Sequence, residues 1–172
     1  VSGIETTRQR DCRRGVAVSK FQIAIRKFSV YFAKPIWSFI VNCVFWLGHL
    51  NKIGTVRTDM RALKQIPVEV VMSMFKWKED SLKDWTPWVA TIVYKSITDD
   101  CDGAAELAKW HFKTKGIKAD IFNLYNLKEG HTICVTKDRK RMVSNENVVS
   151  LNPAIWEAEI MQYFNNEYEV II

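Results

Sequence analysis

Cys101 stands behind Asp99 and Asp100 and directly before a strong helix-forming run in SITDDCDGAAELAKWHF, residues 96–112. At the first turn of such a helix, free backbone N–H groups and the positive end of the helix dipole favour a thiolate, the nucleophilic form of cysteine. A nucleophile of this kind needs a base that takes and returns its proton. The base needs an acceptor that orients its second ring nitrogen. His131 opens the apolar run HTICVT and is the histidine expected on a strand. If RMVSNENVV, residues 141–149, folds back on HTICVT around the loop KDRK, residues 144–147 return beside His131. Asn145 carries a side-chain oxygen suited to holding an imidazole without competing for its proton, and Ser144 is the second option for that place. Together these residue types support cleavage of an amide bond through a thioester: Cys101 attacks, His131 shuttles the proton and Asn145 orients His131. A thiol activated in this way is expected to have an apparent pKa below the free value of ~8.5.

The elements that must deliver these side chains are legible from pattern. Asp99 or Asp100 caps a helix that places Cys101, Ala105, Ala108 and Phe112 on one inward face and ends at Gly116. IKADIFNLYNL, residues 117–127, reads as a strand, followed by a Glu129-Gly130 turn and the hairpin of HTICVT with RMVSNENVV. PAIWEAEIMQYF, residues 153–164, reads as a helix with Pro153 at its first position. Upstream, residues 57–76 read as helix broken at Pro67, residues 76–88 as loop and short helix, and residues 89–96 as either helix or strand. Helices first, then helix, three strands and helix, make the chain α+β, with a nucleophile-bearing helix packed on an antiparallel sheet.

The strings DDCDGAAELAKW, GHTICV and RMVSNE, in this order, resemble the core of the transglutaminase-like cysteine hydrolases. There a helix-starting GDCDD(F/Y)A holds the nucleophile, a GH(A/T) strand the histidine and a following strand ending in Asp-Asn the third member. FKWKEDSLKDW resembles the lead-in of bacterial and phage-encoded members, and the resemblance covers about residues 74–150. It implies a papain/transglutaminase-like fold, with Cys101 as nucleophile and His131 as catalytic histidine. Three positions depart from the pattern: Asp99 stands for the glycine before Asp-Cys, Gly103 for the second aspartate after Cys, and Ser144 for the third-member aspartate. With Ser144 there, Asn145 takes over, as an asparagine does in papain-like relatives; failing that, the triad reduces to a dyad. Trp85 and Trp88 are candidates for lining the oxyanion site or groove, beside the Cys101 backbone N–H.

The chain has 172 residues, 48% hydrophobic and 26% charged, an ordinary globular composition that argues against disorder. The formal charge of +6 is concentrated: residues 1–34 carry eight Lys/Arg and two acids, and the rest balances. Such an arm meets an anionic membrane or nucleic acid, or is simply solvated. Residues 35–50 are uncharged and rich in aromatics, short of the ~20 residues of a bilayer crossing, so a buried or surface-docked helix from about Pro35 is the first reading and membrane association through residues 28–50 the second. The domain division expected is a basic and apolar extension over 1–50 and a hydrolase domain over 51–172. Four cysteines (Cys12, Cys43, Cys101, Cys134) and three histidines (His49, His111, His131) form no paired ligand spacing, so neither a metal nor a cofactor is expected, and the thiols are expected free. Cys134, inside an apolar strand, reads as core, and His111 as a surface residue. A protein or peptide substrate is expected, in a cytoplasmic or phage-associated protein that could be a virion component. The rival function is a weakly active or inactive module of the same scaffold, binding a membrane, nucleic acid or phage assembly through its arm.

Overall fold

A computed structural model describes residues 20–79, 85–126 and 129–172. Cys12, most of the basic arm and the stretch before Trp85 lie outside the described residues.

The protein is a mixed helix-and-sheet structure of the α+β kind. Helix α1 (Lys20–Phe28), a π-helical turn (Ser29–Ala33) and α2 (Lys34–Leu47) run on as one helix. The chain is therefore already helical at Lys20, fifteen residues before Pro35, the expected start. Pro35 lacks an N–H and crowds the preceding turn. The wider turn immediately before it, closed by the Lys34 N–H on the Ser29 carbonyl, lets the helix continue through. Helices α3 (Ile53–Leu63) and α4 (Val68–Ser73) follow, divided at Pro67 as the sequence implies. The short strand β1 (Lys76–Trp77) pairs in parallel with β2 (Thr98–Asp99), and residues 89–94, ambiguous in pattern, form helix α5 (Val89–Tyr94).

Between α5 and β2, Ser96 and Ile97 both have positive φ, 61° and 59°. That conformation is costly for a β-branched residue. Ile97 is nevertheless buried in the core, and the Phe75 segment pairs alongside through Lys76 N–H to Ile97 O at 2.9 Å. This tight reversal aims β2 at the start of α6 (Cys101–Thr114). The α6 N-terminus is capped by Asp100, whose carboxylate accepts from the Asp102 N–H at 3.0 Å. Its C-terminal side passes into Gly116 at φ 74°, a left-handed position that glycine fills without strain.

The sheet has the order β6-β5-β4-β3-β7 and is antiparallel throughout: β3 (Ala119–Tyr125), β4 (Gly130–Thr136), β5 (Arg141–Ser144), β6 (Asn147–Ser150) and β7 (Val170–Ile171). Helix α6 lies on one face, where Ala104, Ala105, Leu107, Ala108 and Phe112 share a core with Cys134 and Val143. On the other face α7 (Trp156–Tyr163) contributes Ile160 to a second core with Leu124, Ile133, Val135 and Met142. Strand β4 is thus covered on both sides. Residues 141–149 are two strands and not one, because a turn at Asn145 and Glu146 reverses the chain after Ser144. Helix α7 begins at Trp156; Pro153 belongs to the turn before it, where Asn152 Oδ1 accepts from the Ala154 N–H at 3.1 Å.

Candidate active site

Cys101 is the first residue of α6 and is partly buried. Its surroundings follow from the hydrogen-bond pattern of the sheet. Asn123 spends both its N–H and its carbonyl on Ile172, each at 2.8 Å. Thr132, opposite Asn123, therefore points its own N–H away from β3 and toward β5. The β4–β5 pairing ends at Cys134 with Val143, so that edge of Thr132 meets no strand. It meets Cys101 instead: the Thr132 N–H and hydroxyl both favour the thiolate. The sulfur thus sits in a notch at the end of the β5 ladder, beside the residue that follows the histidine.

His131 lies on the opposite face of β4 from the Thr132 side chain. Its ring packs against Phe164 and Tyr168, with centroids 5.1 and 6.2 Å apart. Its Nε2 is 2.9 Å from the hydroxyl of buried Ser144. The Tyr168 phenol pKa is raised by burial, then by Glu129 and Glu167, with Cys101 contributing least. Burial holds the His131 ring below the ordinary histidine value, against an opposing pull from Asp102 and Glu129, so the ring is neutral at pH 7.

The thiol is not activated as the helix position suggests. Burial, then the neighbouring Asp102 and Asp100 carboxylates, push Cys101 up to about 11, with Thr132 acting in the other direction. The favourable pull of a helix terminus on a thiolate is outweighed here by burial and by two neighbouring carboxylates. The resting pair is thiol and neutral imidazole.

Asn145 does not back the histidine. It occupies the β5–β6 turn at φ 50°, and its buried Oδ1 has no hydrogen-bond partner among the described residues. Ser144, the last residue before the turn, keeps strand geometry and faces the His131 side of the sheet. The two departures around the cysteine compensate one another. A Cβ added at Gly103 would stand 2.5 Å from both the Cβ and Oδ2 of Asp99, so the side chain absent at 103 is replaced by the one present at 99. Asp99 is buried and lies 3.7 Å from the Lys95 ammonium, which also caps the Trp85 ring at 4.9 Å. Trp85 is a core residue through this arrangement, whereas Trp88 packs on Phe39 of α2.

Asp102 is a site residue that sequence reasoning passed over. Its buried carboxylate takes Lys34 of α2, the Thr132 hydroxyl and, at 3.3 Å, the Thr86 hydroxyl. Only its position next to Cys101 marked it. A cavity of about 710 Å3 opens beside this cluster, lined by Lys34, Phe39, Trp88, Asp102, Glu106 and Thr132 among others. Asp100, Cys101 and Asp102 bring ligand atoms within 4.8 Å of one another. The Asp102 and Asp100 carboxylates are already engaged, the first with Lys34 and Thr132 and the second as the helix cap, which makes the cluster structural.

The remaining residues have structural places. His111 is fully buried rather than exposed: Nε2 lies 2.9 Å from the Ile66 carbonyl and 3.2 Å from that of Leu63. The turn at Pro67 folds α3 and α4 over that side of α6, which a single-helix projection could not reveal. His49 has its Nδ1 2.7 Å from the Phe45 carbonyl and stacks on the Phe45 ring. Cys134 is fully buried, and burial pushes its thiol up to about 12. Cys43, Cys101 and Cys134 are all free thiols.

Compared with family models, with curated proteins and with solved structures, the chain matches none.

Proposed function

We propose that the chain is a cysteine hydrolase of papain/transglutaminase-like type that cleaves an amide bond through a thioester. The observation that carries this reading is the neutral His131 imidazole, tethered to Ser144 on one nitrogen, on the strand whose next residue meets the Cys101 thiol. With Nε2–H donating to the Ser144 hydroxyl, Nδ1 keeps its lone pair for the thiol proton. Cys101 Sγ attacks the amide carbon as its proton passes to His131. The tetrahedral intermediate collapses, and the amine leaves with the proton returned by His131. Water, deprotonated by the same imidazole, then attacks the thioester, releasing the acid and restoring the thiol. The Cys101 backbone N–H, at the open end of α6, is the donor aimed at the oxyanion. Because the resting thiol is protonated, His131 acts as a general base during attack and holds no preformed ion pair.

A second reading, a scaffold that binds without catalysing, is favoured by the high thiol pKa and by a hydroxyl where a carboxylate would stabilise an imidazolium. A peptidyl vinyl sulfone separates the two. The hydrolase reading expects covalent addition at Cys101, seen by peptide mass mapping, and its loss in His131→Gln. Addition that is equal in wild type and His131→Gln, or that favours Cys43, removes the hydrolase reading.

A further inference from the structure

The helix over Phe21–Leu47 is 27 residues long and apolar enough to cross a membrane by length and composition. Its two faces are nevertheless the reverse of a soluble amphipathic helix. Five residues along one side, at positions 26, 34, 38, 42 and 46, are anchored to the body of the protein. The Arg26 guanidinium stacks 4.5 Å from the Tyr125 ring centroid, and Lys34 pairs with Asp102. The Ser38 hydroxyl accepts from the Thr86 N–H at 2.7 Å. Asn42, fully buried, accepts from the Trp88 N–H at 2.8 Å and donates to the Thr86 carbonyl at 3.0 Å. The Trp46 indole donates to the Thr91 hydroxyl at 3.0 Å. The opposite side is apolar and bare: Phe28, Phe32, Ile36, Ile40 and Val44 are each 48–65% exposed. An apolar ridge of this length is not a solvent surface.

We propose that this helix is an in-plane anchor that docks the protein on an anionic lipid bilayer. The bare ridge sinks among the acyl chains while the polar stripe stays on the protein. Charge selects this occupant. Residues 1–34 carry eight Lys/Arg against two acids; with Arg26 and Lys34 held on the body, six cations are left to attract an anionic leaflet. Two copies pairing through the same ridge would bring two such arms together. A nucleic acid would take the arm but leave the ridge in water. A crossing helix is excluded by the stripe, because Arg26, Lys34 and Asn42 would enter hydrocarbon and leave the Asp102 carboxylate without its cation and the Trp88 N–H without its acceptor. The inference is independent of whether Cys101 is catalytic.

The test uses the full chain with vesicles of mixed phosphatidylcholine and phosphatidylglycerol, and with vesicles of phosphatidylcholine alone. Expected is co-sedimentation with the mixed vesicles, weakened severalfold by high salt or by omission of the anionic lipid. The double substitution Ile36→Glu, Ile40→Glu should lower binding at least tenfold with an unchanged far-ultraviolet circular dichroism spectrum. Depth is read from Trp37, near the helix midpoint, as the difference in quenching by brominated lipids between wild type and Trp37→Phe. An in-plane helix is quenched most by bromine near the headgroups. Strongest quenching by bromine at the chain ends, as for a crossing helix, overturns the proposal. So does vesicle binding that ignores both lipid charge and the two glutamates, or a dimer in sedimentation equilibrium that the glutamates dissolve with no vesicle binding.

Discussion

At the level of single side chains, the thiol of Cys101 is protonated, and the imidazole of His131, on the other face of β4 from the Thr132 side chain, is uncharged. Alkylation should therefore climb with pH as the thiolate fraction grows toward a pKa of about 11, with little labelling at pH 8. Iodoacetamide labelling followed residue by residue with mass spectrometry checks this; a plateau near pH 8.5 would mean that the carboxylates beside Cys101 are without effect. Ser144→Ala should slow vinyl sulfone addition about tenfold, the equivalent of one hydrogen bond of about 1.4 kcal/mol, while Asn145→Ala leaves the rate unchanged. Buried His111 and half-buried His131 both weaken the fold in acid. His131 and His111 are both held below their unfolded value of ~6.5, chiefly by burial, so the unfolded chain takes up their protons first as pH falls. Stability on their account is intact above pH ~6.5 and declines below it. Urea midpoints at pH 7.5 and 5.5 should drop in that order, and the drop should shrink in a folded His131→Gln variant.

The element that decides the geometry of the nucleophile is the start of α6, where Asp99 fills the volume that Gly103 leaves open. Gly103→Ala forces its new methyl against the Asp99 side chain and should cost about 1–3 kcal/mol by denaturant unfolding. The exchange Asp99→Gly with Gly103→Asp should recover stability that the single changes lose separately, the signature of two positions sharing one space. Additive losses would mean that the glycine serves another purpose. Along α2, Asn42 stitches the helix to the segment before α5 through Thr86 and Trp88. Asn42→Ala leaves those backbone groups unsatisfied and should lower stability by roughly 1–3 kcal/mol, with increased fluorescence quenching of Trp88 by acrylamide.

Across the whole molecule, the sheet separates two cores, with α6 and α2–α5 on one side and α7 with the C-terminal segment on the other. The catalytic reading depends on both, because Cys101 comes from the first side and the ring of His131 is held from the second by Phe164 and Tyr168. Removal of residues 1–50, the extension expected from composition, would strip Trp46 from Thr91 and Lys34 from Asp102. The shortened chain should therefore unfold at lower denaturant with a less cooperative transition, measured by circular dichroism. An unchanged midpoint would show that the helix over Phe21–Leu47 is an appendage and not a wall of the fold.

Local signals in the sequence determined the helix that carries Cys101 and several of its neighbours: the Asp100 cap, the break at Pro67, Gly116 at the end of α6, and the strands on either side of the Glu129-Gly130 turn are each set by residues within a few positions. They also placed Cys101 at a helix start and the basic charge on one arm. Tertiary structure alone decided which neighbour holds His131, because the register that pairs Cys134 with Val143 puts Ser144 on the His131 face of the sheet and would put Asn145 on the other. It decided the acidity of the thiol, because desolvation and the distances to two carboxylates exist only in the folded chain. It also decided which side of the N-terminal helix faces the body: the polar stripe finds partners some 45–100 residues away in sequence, and no local pattern encodes them.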